Sequence, residues 1–451
     1  MAVTDSATFA ATPRADVPVT EAAVPQWNFA TRIAFRFCVL YLGLYICLTQ
    51  MLTSLLLFTT NDNGAWELDN IPPIKAAIVW IAAHVFHVTH PIVTFETGSG
   101  DRVYDWVELA CILALAVVGT VVWSALARKT KSYPNLSKWF QLFARFALCA
   151  SLLTYGAAKI LPLQMPFPYL TRLLEPYGNF SPMGVLWASI GASPAYEIFA
   201  GCAETLGGIL LIFPRTGMLG AMVGLADMTQ VFMLNMTYDT PVKILSFNLI
   251  LLSLFLLAFD ARRIANFFFL NRAVAAPDSQ SLFRRPRANR IALALQILFG
   301  LWLVGANLYG SASSYNVYGP GRPKSALYGI WNVQDFTMDG EVRAPVLTDA
   351  VRWRRLVFDF PQYMSAQQMD DSFHGYGVTI DTKARTLVLA KAADKNWKAN
   401  FSYAQPASDE LVLDGLMDGH KIHAALQLFD RSKFLLVSRG FHWVMDYPFN
   451  R

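Results

Sequence analysis

Residues 242–259 read VKILSFNLILLSLFLLAF, eighteen positions with one charge, Lys243, at their edge. A soluble helix would confine its apolar residues to a stripe, and this run does not. At 1.5 Å per residue it covers most of the ~30 Å of hydrocarbon in a bilayer. Comparable runs fall at 32–59, 106–127, 138–160, 195–213, 216–237 and 290–310. Seven such segments describe a polytopic α-helical membrane bundle. The whole chain agrees: of 451 residues 54% are hydrophobic and 15% charged, with mean hydropathy +0.35. Soluble proteins carry about 25% charged residues, so a plain cytosolic enzyme is excluded.

The formal net charge is only +5, and the basic excess sits in short connections between apolar runs, which speaks against nucleic acid as a partner. Arg128, Lys129, Lys131 and Lys138 occupy one connection, Arg215 a second, and Arg262, Arg263, Arg272, Arg284, Arg285, Arg287 and Arg290 a third. The alternate connections are longer and more acidic, the first holding Asp62, Glu67, Asp69, Glu96, Asp101 and Asp105. The positive-inside rule then places the N-terminus in the cytoplasm and the C-terminus outside, in a bacterial inner membrane. Residues 1–30 read as a disordered cytoplasmic tail rich in Ala, Thr, Val and Pro, residues 31–312 as the bundle, and 313–451 as an extracytoplasmic domain. Residues 74–90 are apolar but short and precede Pro91, which predicts a partly buried or interfacial helix. Cys38, Cys47, Cys111, Cys149 and Cys202 all lie in apolar runs without a C-x-x-C pair and read as buried thiols.

After Gly310 the pattern changes to short strand-like runs. They include Arg352–Phe358, Thr386–Ala390, Asn400–Tyr403, Glu410–Leu413, Lys421–Phe429 and Lys433–Ser438, with Asp339-Gly340 and Asp418-Gly419 as turns. Six to eight strands in this length predict an antiparallel all-β barrel or sandwich. Gly329-Ile330-Trp331 resembles the G-x-W of lipocalin-like barrels, in which the Trp closes the base. The aromatic end, Gly440-Phe441-His442-Trp443 to Arg451, is expected to pack as the last strand.

Ionisable groups inside hydrocarbon are costly and ordinarily face the bundle interior with a partner. Glu204 and Asp227 fall near the middle of their spans, and Arg145 at similar depth, so an Arg145–Glu204–Asp227 network is feasible. Such a network serves either as a proton or redox site or as a charge-satisfied core that fixes helix register. Tyr155, Lys159 and Gln164 stand at the outer end of the third span, with Lys243 on the same side. Lys159 either snorkels to the surface or binds an anionic headgroup or a quinone carbonyl. His84, His87 and His90 step by three, a weak metal or proton-relay candidate and otherwise polar decoration of an interfacial helix. There is no firm metal site.

Tyr155–Lys159, Ser181-Pro182-Met183-Gly184, Glu204–Gly208 and Tyr238–Lys243 together resemble the DoxX-like membrane family over residues 138–272. Gly156-x-x-Lys159 and Glu204-x-x-Gly207-Gly208 are the most specific features. The resemblance implies a four-helix membrane unit. Some members of that family are linked to quinone-coupled or thiol-linked redox chemistry, including a subunit of thiosulfate:quinone oxidoreductase. In that reading Glu204, Asp227 and Lys159 are the catalytic candidates, and Arg145, Gln164, Tyr155 and Lys243 the binding candidates for a quinone. The chain departs from small family members in its extra N-terminal spans, its seventh span and the β-domain. Helices followed by an external β-domain also resemble, in architecture alone, the vitamin K-dependent carboxylase group. The alternative class is a non-enzymatic factor for envelope assembly, whose β-domain binds an apolar lipid or a partner. In either class the expected partners are the bilayer lipid and a periplasmic protein or a second copy in a homo-oligomer. A transporter is the remote third class.

Overall fold

The computed structural model describes residues 26–57, 71–274, 281–394 and 397–450. Most of the expected tail, and the acidic positions 62, 67 and 69, lie outside the described residues. The helices are α1 (Phe29–Leu48), α2 (Gln50–Leu56), α3 (Pro72–His84), α4 (Val103–Leu126), α5 (Pro134–Ile160), α6 (Leu170–Leu174), α7 (Pro182–Gly191), α8 (Pro194–Ile212), α9 (Gly217–Thr237), α10 (Lys243–Ala258), α11 (Ala261–Phe268), α12 (Pro286–Tyr315) and α13 (Leu435–Ser438). Six of these, α1, α4, α5, α8, α9 and α12, are long and apolar enough to cross a membrane. The count is seven if α10 and α11, bent by 82° at their junction, form one span.

α5, α8, α9 and α10 pack as a closed ring of four, with α1, α2, α4 and α12 applied around α5 and its neighbours. α5 is the axis of this arrangement: Ala144, Ala147, Leu148, Cys149, Ala150 and Leu152 are fully enclosed. Its contact with α8 is close because both helices present glycine. A Cβ at Gly201 would stand 2.7 Å from Gly156 O, from Ile160 N and from Lys159 Cβ. The backbones therefore approach as in small-residue membrane packing.

The expected span over 32–59 is broken. α1 ends at Thr49, whose backbone is extended and whose hydroxyl donates to Tyr45 O at 2.7 Å. A hydroxyl that bonds the preceding turn competes with helix continuation. α2 restarts at Gln50 and stops at Leu57, which is left-handed at φ 51°. The predicted helix at 74–90 ends early, at His84, and most of its surface is exposed.

The C-terminal region is an antiparallel barrel of β1 (Gly329–Met338), β2 (Glu341–Val342), β3 (Trp353–Phe360), β4 (Tyr363–Gln368), β5 (Phe373–Asp381), β6 (Thr386–Ala390), β7 (Lys398–Ala404), β8 (Glu410–Met417) and β9 (His420–Leu428). Neighbours follow chain order, β2 flanks β1 alone, and β1 pairs β9 from Trp331↔Leu428 to Met338↔Ile422, closing eight strands. Closure removes the sheet edges. The G-x-W position behaves as expected: Trp331 is buried, and its Nε1 donates to Leu327 O at 2.9 Å, consistent with a lipocalin-like barrel. Strand alternation is strict on β7, where Ala399, Phe401 and Tyr403 point inward. Both Asp-Gly turns form with positive φ at each residue, 53° and 85° at Asp339-Gly340 and 52° and 85° at Asp418-Gly419.

Two expectations fail here. Residues 431–438 are a 3₁₀ turn and α13, and the aromatic end forms no strand. The reason is closure: β9 is already paired with β8 on one side and β1 on the other, so the segment that follows finds no free edge beside it. The barrel is held to the bundle through the connection between α5 and α7. Leu170 N–H donates to Asp359 Oδ2 at 2.8 Å, and Arg322 pairs with Asp359 Oδ1 at 2.9 Å. The Arg322 guanidinium lies 4.5 Å from the Tyr169 ring centroid and 4.6 Å from that of Phe360. Leu170, Ile330 and Val357 form the buried centre of this seam.

Candidate functional site

Lys159 and Glu204 form a buried ion pair between α5 and α8. Their side chains are 9% and 1% exposed, so the pair sits inside the protein and neither group snorkels. The approach of Gly156 to Gly201 sets the register, and side-chain direction does the rest. Every Cα–Cβ bond leans toward the N-terminus of its helix. The two helices are antiparallel, so Lys159 leans away from the barrel and Glu204 leans toward it, and their ends meet.

The same rule dismantles the expected Arg145–Glu204–Asp227 network. Arg145 leans toward the start of α5, away from Glu204, and its guanidinium donates to Gln296 Oε1 on α12. Nor do the two share a depth: with Gly156 against Gly201 and Cys149 against Gly208, Arg145 lies more than about two turns along α5 from the level of Glu204. Arg145 lines neither of the two cavities described next.

Lys159 and Glu204 line a cavity of about 120 Å³ at the barrel-side end of the four-helix ring. Asp227 and Asn235 come from α9, Glu197 from the first turn of α8, Thr240 from the α9–α10 turn, and Gln164 from the segment after α5. Three carboxylates thus face one ammonium. Glu197 is fully buried, and its Oε1 accepts the Met165 N–H at 2.9 Å. Five buried oxygens of this wall have no protein partner: Gln164 Oε1, Glu197 Oε2, Glu204 Oε2, Asp227 Oδ2 and Thr240 Oγ1. Buried polar atoms ordinarily have partners. Their concentration here marks a place built to receive hydrogen-bond donors. The wall also includes Tyr196 and Gln230, both exposed, so the cavity reaches the outer surface of α8 and α9.

A second cavity of about 410 Å³ adjoins the first and shares Tyr155, Gln164, Trp187, Val242 and Leu245 with it. The break after α1 supplies Thr49 and Gln50 to this wall, and Tyr155 donates from its hydroxyl to Gln50 Oε1 at 3.2 Å. The loop Gly98–Gly100 closes one side and is fastened by Asp101, which accepts the backbone N–H groups of Lys243 and Ile244 at 2.8 and 3.0 Å. Such capping satisfies the free donors at the start of α10. Trp187 Nε1 donates to Gln164 O at 3.1 Å, fixing the roof.

The structure thus brings Tyr155, Lys159, Gln164, Glu204 and Asp227 together around adjoining cavities. It does not bring Lys243 into either wall: its Nζ lies 3.1 Å from Asp239 Oδ1 and 3.7 Å from Asp101 Oδ2. His84, His87 and His90 do not converge. His84 stacks on Trp80 with its Nδ1 2.9 Å from Trp80 O, and His87 is left-handed beyond the helix end. With α3 finished at His84, the three-residue step no longer places rings on one face, and among the described residues no three metal-ligating side chains gather. Sequence reading missed Glu197, Gln50 and Thr240. Glu197 had a signal, an acid just after Ser193-Pro194 at a helix start; the other two depend on a helix break and a turn.

No family model matches the chain, and no solved structure matches it. A stretch of 129 residues, 29% of this chain, is 32% identical to the uncharacterized protein YwoB of Bacillus subtilis (strain 168) and covers 79% of that protein. The chain belongs to the family of that Bacillus protein.

Proposed function

We propose that the bundle is a DoxX-like redox component that binds the head of a quinone-type lipid in the acidic cavity. The observation that carries this reading is the set of five unpartnered oxygens around the buried Lys159–Glu204 pair. A quinone-type lipid supplies two-electron, two-proton chemistry when bound, the electrons being exchanged with a partner redox protein. The chain's part is to hold and move protons. Glu204 and Asp227 accept protons from a donor in the cavity or return them, and Lys159 keeps the Glu204 carboxylate charged between transfers. Gln164 and Thr240 orient the head by hydrogen bonds, and Tyr196 and Gln230 mark its way in from the lipid. Loop charge supports a bacterial inner-membrane setting with the basic connections in the cytoplasm and the barrel outside. Most of the barrel's inward side chains, Trp331, Phe336, Trp353 and Phe401 among them, already pack against one another, which favours the bundle over the barrel as the ligand-holding part.

The test is direct binding of a short-tailed hydroquinone to the intact protein in nanodiscs, followed by fluorescence quenching. The expected result is saturable binding that Glu204→Gln with Asp227→Asn weakens roughly tenfold or more, since each lost charged acceptor contributes about 1.5–3 kcal/mol. Binding that is absent, or equal in wild type and variant, overturns the reading.

A further inference from the structure

Beyond β9 the chain makes a hook whose large side chains face outward. Phe441, Trp443, Val444 and Tyr447 are 77%, 91%, 79% and 84% exposed. The hook is nevertheless built. Gly440 turns it at φ 55°, and Arg439 lies 3.9 Å from the Phe449 ring centroid, with its Nη2 3.3 Å from Met445 Sδ. The polar guanidinium is thus folded inside the hook while the aromatic residues stand outside it. That inversion is costly in water, at about 25 cal/mol for each Å² of apolar surface left wet, and an apolar cover would remove the cost.

The position of the hook bears on what that cover is. Phe434, the residue before α13, packs in the seam between the barrel and the bundle with Leu170, Leu173 and Phe429. Arg431 donates to the Tyr328 hydroxyl at 3.1 Å and lies over the Phe167 ring. The hook therefore leaves the barrel at the seam, directly above the helix ends. Tyr309, near the barrel-side end of α12, and Tyr318, three residues beyond that end, are both exposed. Tyrosine and tryptophan at a helix end mark the interfacial level of a bilayer. We propose that residues 435–449 are an interfacial anchor that seats the barrel on the bilayer, with Phe441, Trp443 and Tyr447 in the headgroup zone and Leu435 and Leu436 beside them. Indole and phenol suit that zone because each has an apolar body and one polar handle. The anchor fixes the barrel against the connection that supplies Gln164 and Met165 to the acidic cavity, but its assignment does not depend on what that cavity binds.

The experiment places a photoreactive residue in the full-length protein by Trp443→p-benzoylphenylalanine, in phospholipid nanodiscs. A second label at Tyr447 repeats the reading if the first disturbs the hook. The control site is Asn400, on β7, the barrel strand opposite the seam. On irradiation, mass spectrometry is expected to find phospholipid adducts at 443 and 447 roughly tenfold above those at 400, as for residues in an aromatic belt. Adducts only to a second copy or to the bundle, or lipid adducts no greater than at Asn400, overturn the proposal.

Discussion

The two interiors of this protein are built by opposite rules. Inside the barrel, Trp331, Trp353, Phe336, Phe401 and Leu413 meet one another, and the His and Asp residues of its hairpins stand outside in pairs such as His420–Asp339 and His423–Asp414. Inside the four-helix ring, Lys159, Glu204 and Glu197 are buried, and several of their neighbours' oxygens lack partners. Packing complementarity explains most of the first interior. The second cannot be explained that way, because replacing a buried ion pair by well-packed apolar residues is often neutral or stabilising. Stability alone would therefore have favoured leucines around α5 and α8, and the retained charges point to use.

The largest effect is expected at Lys159. Lys159→Met leaves Glu204 in a 1% exposed site without its cation, which is expected to destabilise the bundle by about 3–5 kcal/mol. Lys159→Met with Glu204→Leu should regain most of that stability while losing ligand binding. Reversible unfolding in mixed micelles measures the first effect and the recovery. A double variant as unstable as the single one would mean that the pair is structural. In the barrel the corresponding change is Leu413→Ala, at a fully buried position. It should cost about 2–5 kcal/mol by cavity formation and leave hydroquinone binding by the bundle unchanged. Loss of binding there would break the separation of the two interiors.

A smaller effect is expected where α5 and α8 touch. Gly201→Ala puts a methyl 2.7 Å from backbone atoms of Gly156 and Ile160 that cannot rotate away. The helices must separate, at about 1–3 kcal/mol, and the Lys159–Glu204 contact must lengthen with them. Thermal unfolding reads the cost, and hydroquinone affinity should fall together with it. An unchanged affinity would uncouple the register of the glycine contact from the site.

How far these features can be read in the sequence follows from the distance over which each is determined. Five of the span positions, both Asp-Gly turns and the strand at Thr386–Ala390 depend on local pattern, and the structure has them where the pattern puts them, while the span at 32–59 is broken and that at 242–259 is bent into α11. Lys159, Glu204, Gln164 and Tyr155 stood out because a polar group in an apolar run is conspicuous. Their partners did not, because pairing depends on side-chain direction across antiparallel helices. Arg145 and Lys159 are equally conspicuous on α5, yet the α5–α8 register puts only Lys159 at the level of the cavity. The break at Thr49 and the fully buried Glu197 depend on tertiary contacts. The aromatic end misled for a different reason: its composition suits a strand, but barrel closure left no edge to accept it.

The smallest effect lies on the barrel surface. At the β2-side hairpin, the hydrogen bond from His420 and the backbone N–H of Lys421 hold the Asp339 carboxyl below its ordinary range. A carboxyl whose pKa is depressed on folding contributes stability above its unfolded pKa and loses it as pH falls through the folded one. Asp339→Asn should therefore lower the barrel's melting temperature slightly at pH 7, and the difference should begin to shrink below about pH 4 and vanish only at a pH under the folded carboxyl's own, lower pKa. The group is fully exposed, so solvent screens most of the interaction. Melting curves of the two proteins at both pH values, followed by near-ultraviolet circular dichroism, decide it. A deficit as large at low pH as at neutral pH would show that Asp339 matters through turn geometry, at φ 53°, and not through its charge. Either result keeps this charge outside the barrel's apolar interior, whereas the charges of the bundle lie within its own.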